Sequence, residues 1–594
     1  MKTSNHAIEI WGGLECTINR VNDSYFDQLE YARHYERDGD IELIASLGIK
    51  TLRYPVLWER HQPDLDAEID WRCTETKLQQ IREAGMNVIA GLVHHGSGPR
   101  HVNFFDGSFE EGLADYAVSV AEKFPWIRYY TPVNEPLTTA RFCGLYGHWY
   151  PHLCDELSCY KILLSECKAT VMAMQAIRRV NPEAELIQTD DLGKTYSTPL
   201  LSYQAEFENE RRWLSYDLIC GTLTPEHLMW TRMVTVGIDP EQLHYFQVNH
   251  CRPSVAGFNY YITSERYLDE NLHKYDARTH GGNGIHAYSD VEVVRVPYSE
   301  PIGAGVLIRE AWERFGLPIS ITECHLYSTR EEQMRWLHQM LSTAAALKSD
   351  GVDVRAVTVW ALLGLYGWDR LVTRPWGGYE PGVFDVSNNQ VRPTALAGMI
   401  KAINAGASFQ HPLLETAGWW QRQTRLFPSC RDHSWQPDAE SAGDCQPLLL
   451  LDEGGDFAAS VRRICLERNI PVVSLSKTAG AGFSLAQIKH LNPWAILHCL
   501  SPDFKSAQDS KEPEVLAGLC GGLNVRYMIW QSRGNMDYTK NVLATNPETL
   551  ILGGSCSGQH AADLLHQALN MLLDGAAGLH DLEADLMAEH TAVH

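Results

Sequence analysis

The sequence predicts an α/β chain: a (β/α)8 TIM barrel followed by a smaller doubly wound, Rossmann-like α/β unit. Three observations carry that prediction. Short apolar, β-rich runs alternate with helix-period segments from residue 7 to about 405. A polar, Pro-bearing and Trp-rich stretch breaks the rhythm between about 406 and 446. Strand and helix patterns then resume to the end of the 594-residue chain. The expected organisation is a barrel over 1–405, a connector over 406–446 and the doubly wound unit over 447–594.

Eight strands are expected at 7–11, 50–54, 87–93, 127–133, 185–189, 255–260, 318–322 and 354–361. Amphipathic stretches such as "DGDIELIASLG", "CTETKLQQIREAG" and "EEGLADYAVSVAEKF" lie between them. In "IREAG" the glycine follows the helical pattern and stops it, as a left-handed C-terminal cap does. A barrel of this kind keeps its chemistry at the carboxyl ends of its strands. The residues ending the apolar runs are therefore the candidates: Arg53, His94 or His95, Asn134, Glu135, Tyr261, Glu323 and Trp360.

The stretch "YYTPVNEPLTTARF" makes the case concrete, because an apolar strand stops at a carboxylate. Pro136 ends the ladder and is expected to bias Glu135 towards an extended backbone. A glutamate there is costly to desolvate unless it is paired or used. Alone, Glu135 reads as a salt-bridged strand end, and Arg53 as a plain ion pair under the rim. The chemistry appears with Glu323, which ends the seventh strand in "LPISITECH". Two carboxylates across a barrel mouth can divide the work of cleaving a glycosidic bond, one attacking the anomeric carbon and the other protonating the departing oxygen. The acid must stay protonated and the nucleophile ionised, and Arg53 and Tyr261 suit the second task.

Composition sets limits on partners. The chain is 44% hydrophobic and 21% charged, an ordinary globular balance. A net charge of −24 argues against nucleic acid or an anionic membrane as partner. No apolar run reaches membrane-span length, and "MKTSNHAIEIWGG" has no signal-like core, so a cytoplasmic location is expected. The 15 cysteines form no CxxC pair, and "HHGSGPRH" offers His94, His95 and His101 without a matching ligand set, so no metal is expected.

These motifs together resemble glycoside hydrolase family 1, a family of retaining β-glycosidases on a barrel fold, over residues 7 to about 405. "TPVNEP" resembles the acid/base motif, which implies Glu135 as proton donor and Asn134 as its partner on the sugar 2-hydroxyl. "ISITE" resembles the nucleophile motif and implies that role for Glu323. "VAGFNYYIT" and "TLRYPVLWER" imply Tyr261 and Arg53 beside that nucleophile. "LVHHGSGP" implies His95 as a sugar ligand, with Gly96 where a tryptophan is usual, and "VWALLGLYGW" implies Trp360 as the floor under the sugar. A glucosidase-like exo-glycosidase acting on a carbohydrate or glycoside, without a cofactor, is the implied activity.

The departures from the family pattern concern the far end of the sugar. The glutamate that usually grips its 4- and 6-hydroxyls is replaced by Gly367, although Trp368 follows as expected. The first-strand glutamine corresponds to Asn19, with Glu15 as a competing choice, and Cys324-His325 stands where Asn-Gly is usual. His148, Trp149 and Tyr150 follow the acid/base and either stack an aglycone or pack on the rim.

A free linker would not carry Trp419, Trp420 and Trp435, so the connector is expected to pack on something. The unit after it resembles the nucleotide-binding half of the dTDP-4-dehydrorhamnose reductase group in "PLLLLDEGGDFAASVRRICLERNIPVVSLS". Its first turn, "DEGGDFAAS", lacks the glycine spacing that lets backbone approach a pyrophosphate, and Tyr538 and Lys540 are too close for a Tyr-x-x-x-Lys pair. It reads as a degenerate module kept for packing, oligomerisation into a homo-oligomer or shaping the barrel mouth, with residual sugar-nucleotide binding as an open alternative. A binding-only relic and a bifunctional glycosidase/reductase remain the competing functions for the whole chain.

Overall fold

A computed structural model of the chain describes residues 7–64, 67–387, 390–430, 445–452, 456–477, 482–500, 511–531, 539–553 and 561–582. Eight parallel strands close into a barrel: β1 (Glu9–Gly13), β2 (Thr51–Pro55), β3 (Asn87–His94), β4 (Tyr129–Asn134), β5 (Glu185–Asp191), β6 (Val255–Tyr260), β7 (Ile319–Cys324) and β8 (Val354–Val359). Each pairs with its sequence neighbour, and β1 pairs with β8 to close the ring. All eight fall on the apolar runs expected from sequence. The intervening helices include α1 (Asp40–Ser46), α2 (Arg72–Glu83), α3 (Ser108–Lys123), α4 (Glu156–Val180), α5 (Leu214–Ile219), α6 (Ala304–Phe315), α7 (Arg330–Ser349) and α8 (Ala395–Asn404). Gly85, after α2, has φ +72°, the left-handed stop that its place in "IREAG" predicts.

Inside the barrel Trp11, Ile89, Ile187 and Ala356 fill the lumen below the site. The registers of β4 and β7 slip near their carboxyl ends, between Tyr130 and Asn134 and between Ile321 and Glu323. Such irregularities turn side chains out of the regular alternation, and here they occur where Asn134 and Glu323 are presented.

The described stretch of the connector, 406–430, touches the barrel through Trp420. Trp420 is buried with its ring edge-on to Trp336 at 5.1 Å and its Nε1 donating to Gln339 at 2.8 Å. Trp435 falls outside the described residues, as do Tyr538 and the glycine turn at 453–455.

Beyond the connector six strands form one parallel sheet: β9 (Leu448–Asp452), β10 (Val472–Ser476), β11 (Ala495–Cys499), β12 (Arg526–Gln531), β13 (Leu550–Gly553) and β14 (Gly578–Asp581). Helices α9 (Asp456–Glu467), α10 (Leu485–Leu491), α11 (Glu512–Leu523), α12 (Thr539–Thr545) and α13 (Ala561–Asp574) connect them. Alternate residues of β9 face opposite layers: Leu448 and Leu450 pack with α9 and α13, Leu449 and Leu451 with α10, α11 and α12. The sheet is thus doubly wound. Its order, β10-β9-β11-β12-β13-β14, is 2-1-3-4-5-6, whereas a dinucleotide-binding half runs 3-2-1-4. Among the described residues there is no strand beyond β10 to supply that third position.

This unit docks on α7. Arg468 pairs with Glu331, and Arg330 with Asp574 at 2.7 Å, while Arg422 of the connector pairs with Glu332. Arg335 reaches the other way, donating to the carbonyls of Leu413 at 2.8 Å, Arg468 at 3.2 Å and Asn469 at 3.0 Å. Among the described residues no helix is long and apolar enough to cross a membrane.

Candidate active site

Glu323 ends β7 and is held from two sides. Arg53, from β2, donates to its Oε1 at 3.1 Å, and the Tyr261 hydroxyl, just beyond β6, donates to its Oε2 at 2.5 Å. Arg53 also donates to Asn134 Oδ1 at 2.8 Å, so one guanidinium ties β2, β4 and β7 together. Its planar fork holds the two donors in a fixed geometry that a rotating ammonium would not. Burial pushes Glu323 up to about 7, with Arg53 opposing the rise and Glu15 adding to it.

Glu135 follows β4 in a left-handed conformation, φ 47° and ψ 63°. This overturns the extended backbone expected from Pro136. The chain turns sharply here because Glu135 N–H donates back to the Thr189 carbonyl at 3.2 Å, while Pro136 opens the short helix Pro136–Ala140 at its first position. A left-handed non-glycine residue costs roughly 1–2 kcal/mol, and the neighbouring contacts hold it there. Asn259 Nδ2 donates to Glu135 Oε1 at 2.6 Å, and Asn259 is itself fixed by the Thr322 hydroxyl at 2.7 Å. Burial first, then the charges of Glu323, Asp191 and Asp190, drive the Glu135 pKa well above the carboxylate range.

The other residues expected at the site divide into two groups. Asn134, His95, Trp360 and Trp368 gather around the two glutamates. Asn134 Oδ1 also accepts from the Thr189 hydroxyl at 2.8 Å, which leaves its amide facing His94 and His95. His95 Nε2 lies 3.6 Å from Glu135 Oε2, and its Nδ1 is 3.0 Å from the Thr139 hydroxyl. Burial, reinforced by Arg53, lowers the His95 pKa to about 3, so the ring is neutral. Trp360 stacks on His94 and lies under Arg53 at 4.9 Å.

Asn19, Trp149 and His325 are also close by, but their polar atoms are engaged elsewhere. Asn19 Nδ2 donates to the Val372 carbonyl and Trp149 Nε1 to the Leu371 carbonyl, both at 2.8 Å. Trp149 is only 1% exposed, so it packs on the rim rather than offering an open platform. Both ring nitrogens of His325 are engaged, by the Trp360 carbonyl and Glu380, each at 3.1 Å. Glu15, the competing first-strand choice, sits beneath the floor and accepts from Trp360 Nε1 at 3.3 Å. Asn19 Oδ1 is among the buried side-chain atoms that lack a hydrogen-bond partner, and Trp368 Nε1 approaches Glu15 without closing a full hydrogen bond.

The departures from the family pattern have structural reasons. A Cβ at Gly96 would fall 1.9 Å from Glu59 Oε1, so the buried Glu59 carboxyl occupies the space a tryptophan would need. Gly367 has φ +72°, and a Cβ there would meet the Trp376 carbonyl at 2.4 Å. Asn259 was missed in the sequence reading, although it lies inside the quoted sixth-strand motif. Its signal is the period of two that places it on the same face as Tyr261.

Comparison with known proteins agrees with this geometry. A family profile described as Glycosyl hydrolase family 1 matches residues 16–379. The chain is 23% identical over 384 residues to the aryl-phospho-beta-D-glucosidase BglC of Bacillus subtilis, covering 56% of this chain and 78% of that protein. It is 22% identical over 433 residues to Beta-glucosidase 4 of Oryza sativa subsp. japonica, covering 62% and 84%. The solved structure of the family 1 b-glucosidase from Thermotoga maritima shares the fold with a TM-score of 0.54 at 15% identity, over 69% of this chain and all of that one. A family match over more than half the chain, on a closed eight-stranded barrel, shows that this protein belongs to glycosyl hydrolase family 1.

Proposed function

We infer that the protein is a retaining β-glycoside hydrolase, β-glucosidase-like in the manner of its relatives, with Glu323 as nucleophile and Glu135 as acid/base. The observation that carries the assignment is the asymmetry of their partners. Glu323 receives a cation and a phenolic donor, both of which favour a carboxylate, whereas Glu135 faces three other acids and keeps its proton. Glu323 attacks the anomeric carbon as Glu135 gives its proton to the departing oxygen, forming a covalent glycosyl-enzyme. Glu135, now a carboxylate, takes a proton from water as that water attacks the same carbon and frees Glu323. Asn134, held by Arg53 and Thr189, is placed to meet the sugar 2-hydroxyl. Trp360 offers its face to the ring.

At the non-reducing end Asn19 remains the first-strand candidate, because its Oδ1 is unpartnered although its amide nitrogen is committed to Val372, whereas the Glu15 carboxyl is taken by Thr17 and Trp360. Sugar hydroxyls would satisfy Asn19 Oδ1 and Trp368 Nε1, and glucose selectivity does not follow from the family, because the usual glutamate is absent. We place the domain limits at 1–405, 406–446 and 447–594. The last we read as a non-catalytic remnant of a sugar-nucleotide reductase; the sequence resemblance supports this, the strand order 2-1-3-4-5-6 departs from the 3-2-1-4 of a dinucleotide-binding half, and the damaged glycine turn argues against hydride transfer. A cytoplasmic setting fits the reduced-cysteine composition.

Azide tests the roles. With activated aryl β-glycosides, Glu323→Ala should form the α-glycosyl azide and Glu135→Ala the β-glycosyl azide. The opposite anomers would reverse the assignment, and inverted products from the wild type would remove the retaining mechanism altogether.

A further inference from the structure

A cleft of about 360 Å³ opens where the barrel's catalytic face meets the connector. Tyr327 lines it, on the turn that follows β7, four residues past Glu323 and therefore within roughly 14 Å of it along the chain. Arg295 enters from the long excursion between β6 and α6, Trp419, Arg422 and Arg425 from the connector, and Glu467 from the end of α9.

The charges in this cleft do not balance. Arg422 is committed to Glu332 and the Glu467 carbonyl, and Glu467 itself pairs with Arg463 at 2.6 Å. Arg295 lies over the Trp419 ring at 4.2 Å, and Arg425 donates to the Arg422 carbonyl at 3.1 Å. Neither has a carboxylate partner among the described residues, in a chain whose net charge is −24. Burial weakens Arg425's hold on its proton, the signature of a cation that lacks a counter-charge. Two free guanidiniums beside the exposed ring of Tyr327 and the half-buried ring of Trp419 match an oxyanion carried on a flat body, because the guanidinium fork pairs bidentately with carboxylate and phosphate alike.

We propose that this cleft receives the leaving-group side of the substrate, and that this side bears an oxyanion on an aromatic or sugar ring. The proposal rests on the glycosidase reading and adds the class of glycoside. The seam between connector and barrel then forms part of the substrate site: the connector supplies one wall and one of the two free cations.

The test begins with the sugar that gives the fastest 4-nitrophenyl β-glycoside turnover. On that sugar, kcat/KM is compared for a 4-carboxyphenyl and a 4-carbamoylphenyl leaving group, which have similar shape and differ in charge. The full-length protein should favour the carboxylate by roughly tenfold, the scale of one charge-assisted contact. Arg295→Met and Arg425→Gln should each abolish that preference, lowering kcat/KM for the carboxyphenyl glycoside more than for the carbamoylphenyl one. Calorimetric titration with free 4-hydroxybenzoate and with phenyl phosphate should show binding that either substitution weakens, and the two probes separate a carboxylate preference from a phosphate one. Arg425→Gln leaves the Arg295–Trp419 stack in place, so it remains informative if Arg295→Met fails to fold. Equal kcat/KM for the two leaving groups, or binding indifferent to both substitutions, overturns the proposal and leaves the glycosidase reading intact. Failure to hydrolyse any 4-nitrophenyl β-glycoside overturns that reading, and the leaving-group assignment with it.

Discussion

Replacing Arg468 with methionine should undo the docking of the C-terminal unit, and the structure sets the scale. Arg468 is 3% exposed and Glu331 is fully buried. The guanidinium contacts both Glu331 oxygens and donates to the His566 carbonyl at 3.0 Å and to Asn570 at 2.8 Å. Burial raises the Glu331 pKa, but the Arg468 charge and hydrogen bonds, with Arg335 and Thr329, together more than offset it, and the carboxyl ends below its ordinary value. Removing one partner of such a pair leaves an uncompensated buried charge and costs about 3–5 kcal/mol, whereas removing both is often close to neutral. For a unit of this size about 2–4 °C is lost per kcal/mol, so Arg468→Met should lower the melting transition that includes 447–594 by roughly 6–20 °C. Glu331→Met combined with Arg468→Met should recover most of it. The pH dependence follows from the signs. In the wild type the depressed Glu331 pKa gives stability that is present above the unfolded value of about 4.3 and lost as pH falls through the lower folded one. In Arg468→Met the orphaned carboxyl is raised instead, so its penalty should shrink as pH falls from 7 towards 5. Calorimetry at both pH values, with hydrogen exchange of α7 and α13, reads all three effects. A single substitution costing under about 1 kcal/mol, or a double as costly as the two singles together, would refute the reasoning.

Glu15→Gln should move the acidic limb of kcat/KM to lower pH, because Glu15 helps to push Glu323 up to about 7; the wild-type rate should rise towards that pH and fall when Glu135 deprotonates above it, and an unmoved limb would count against the coupling. Glu323→Gln should abolish turnover, while Glu135→Gln should keep the first step only for leaving groups that depart without a proton, as single-turnover kinetics on aryl glycosides of graded leaving-group pKa would show. Gly367→Glu should fail to restore the family's sugar grip and should lower stability, since its Cβ would meet the Trp376 carbonyl at 2.4 Å; a gain in glucoside turnover without loss of Tm would show that the loop yields. Cutting the chain near residue 440 should give aggregation or lost activity, because it bares the α7 surface now covered by the docked unit; a truncated protein with unchanged Tm and kcat/KM would make that unit a passenger.

What could be read in advance was set by local periodicity and by strand ends. The barrel strands are apolar runs closed by polar residues, and a barrel presents those residues on one face, so Arg53, Asn134, Glu135, Tyr261 and Glu323 could be named from their positions alone. What could not be read depended on what fills space. The absence of a tryptophan at 96 and of a glutamate at 367 is visible in the sequence, but the Glu59 carboxyl and the Trp376 carbonyl that occupy those places come from distant segments. Glu135 shows a limit of another kind. The proline after it biases the backbone towards extended, and the left-handed conformation found instead is accompanied by a long-range contact to Thr189. Helix α7 misleads in the opposite sense: "REEQMR" opens like a solvated helix end, yet every one of those six side chains is buried under the C-terminal unit and its neighbours.

That buried helix end sits close to the chemistry. Helix α7 starts at Arg330, six residues after β7 ends at Cys324. Gln333, in the first turn, donates to the Leu326 carbonyl at 3.2 Å and to the Pro381 carbonyl at 2.9 Å, so it pins the turn after the nucleophile to the segment after β8. Arg330, which donates to Gln333 at 2.6 Å, is in turn held by Asp574 from α13. The path from the C-terminal unit to the nucleophile loop is thus three side chains long, and its contacts are buried or partly buried. Loosening the seam would release Arg330 and then the Gln333 clamp before any barrel strand is disturbed.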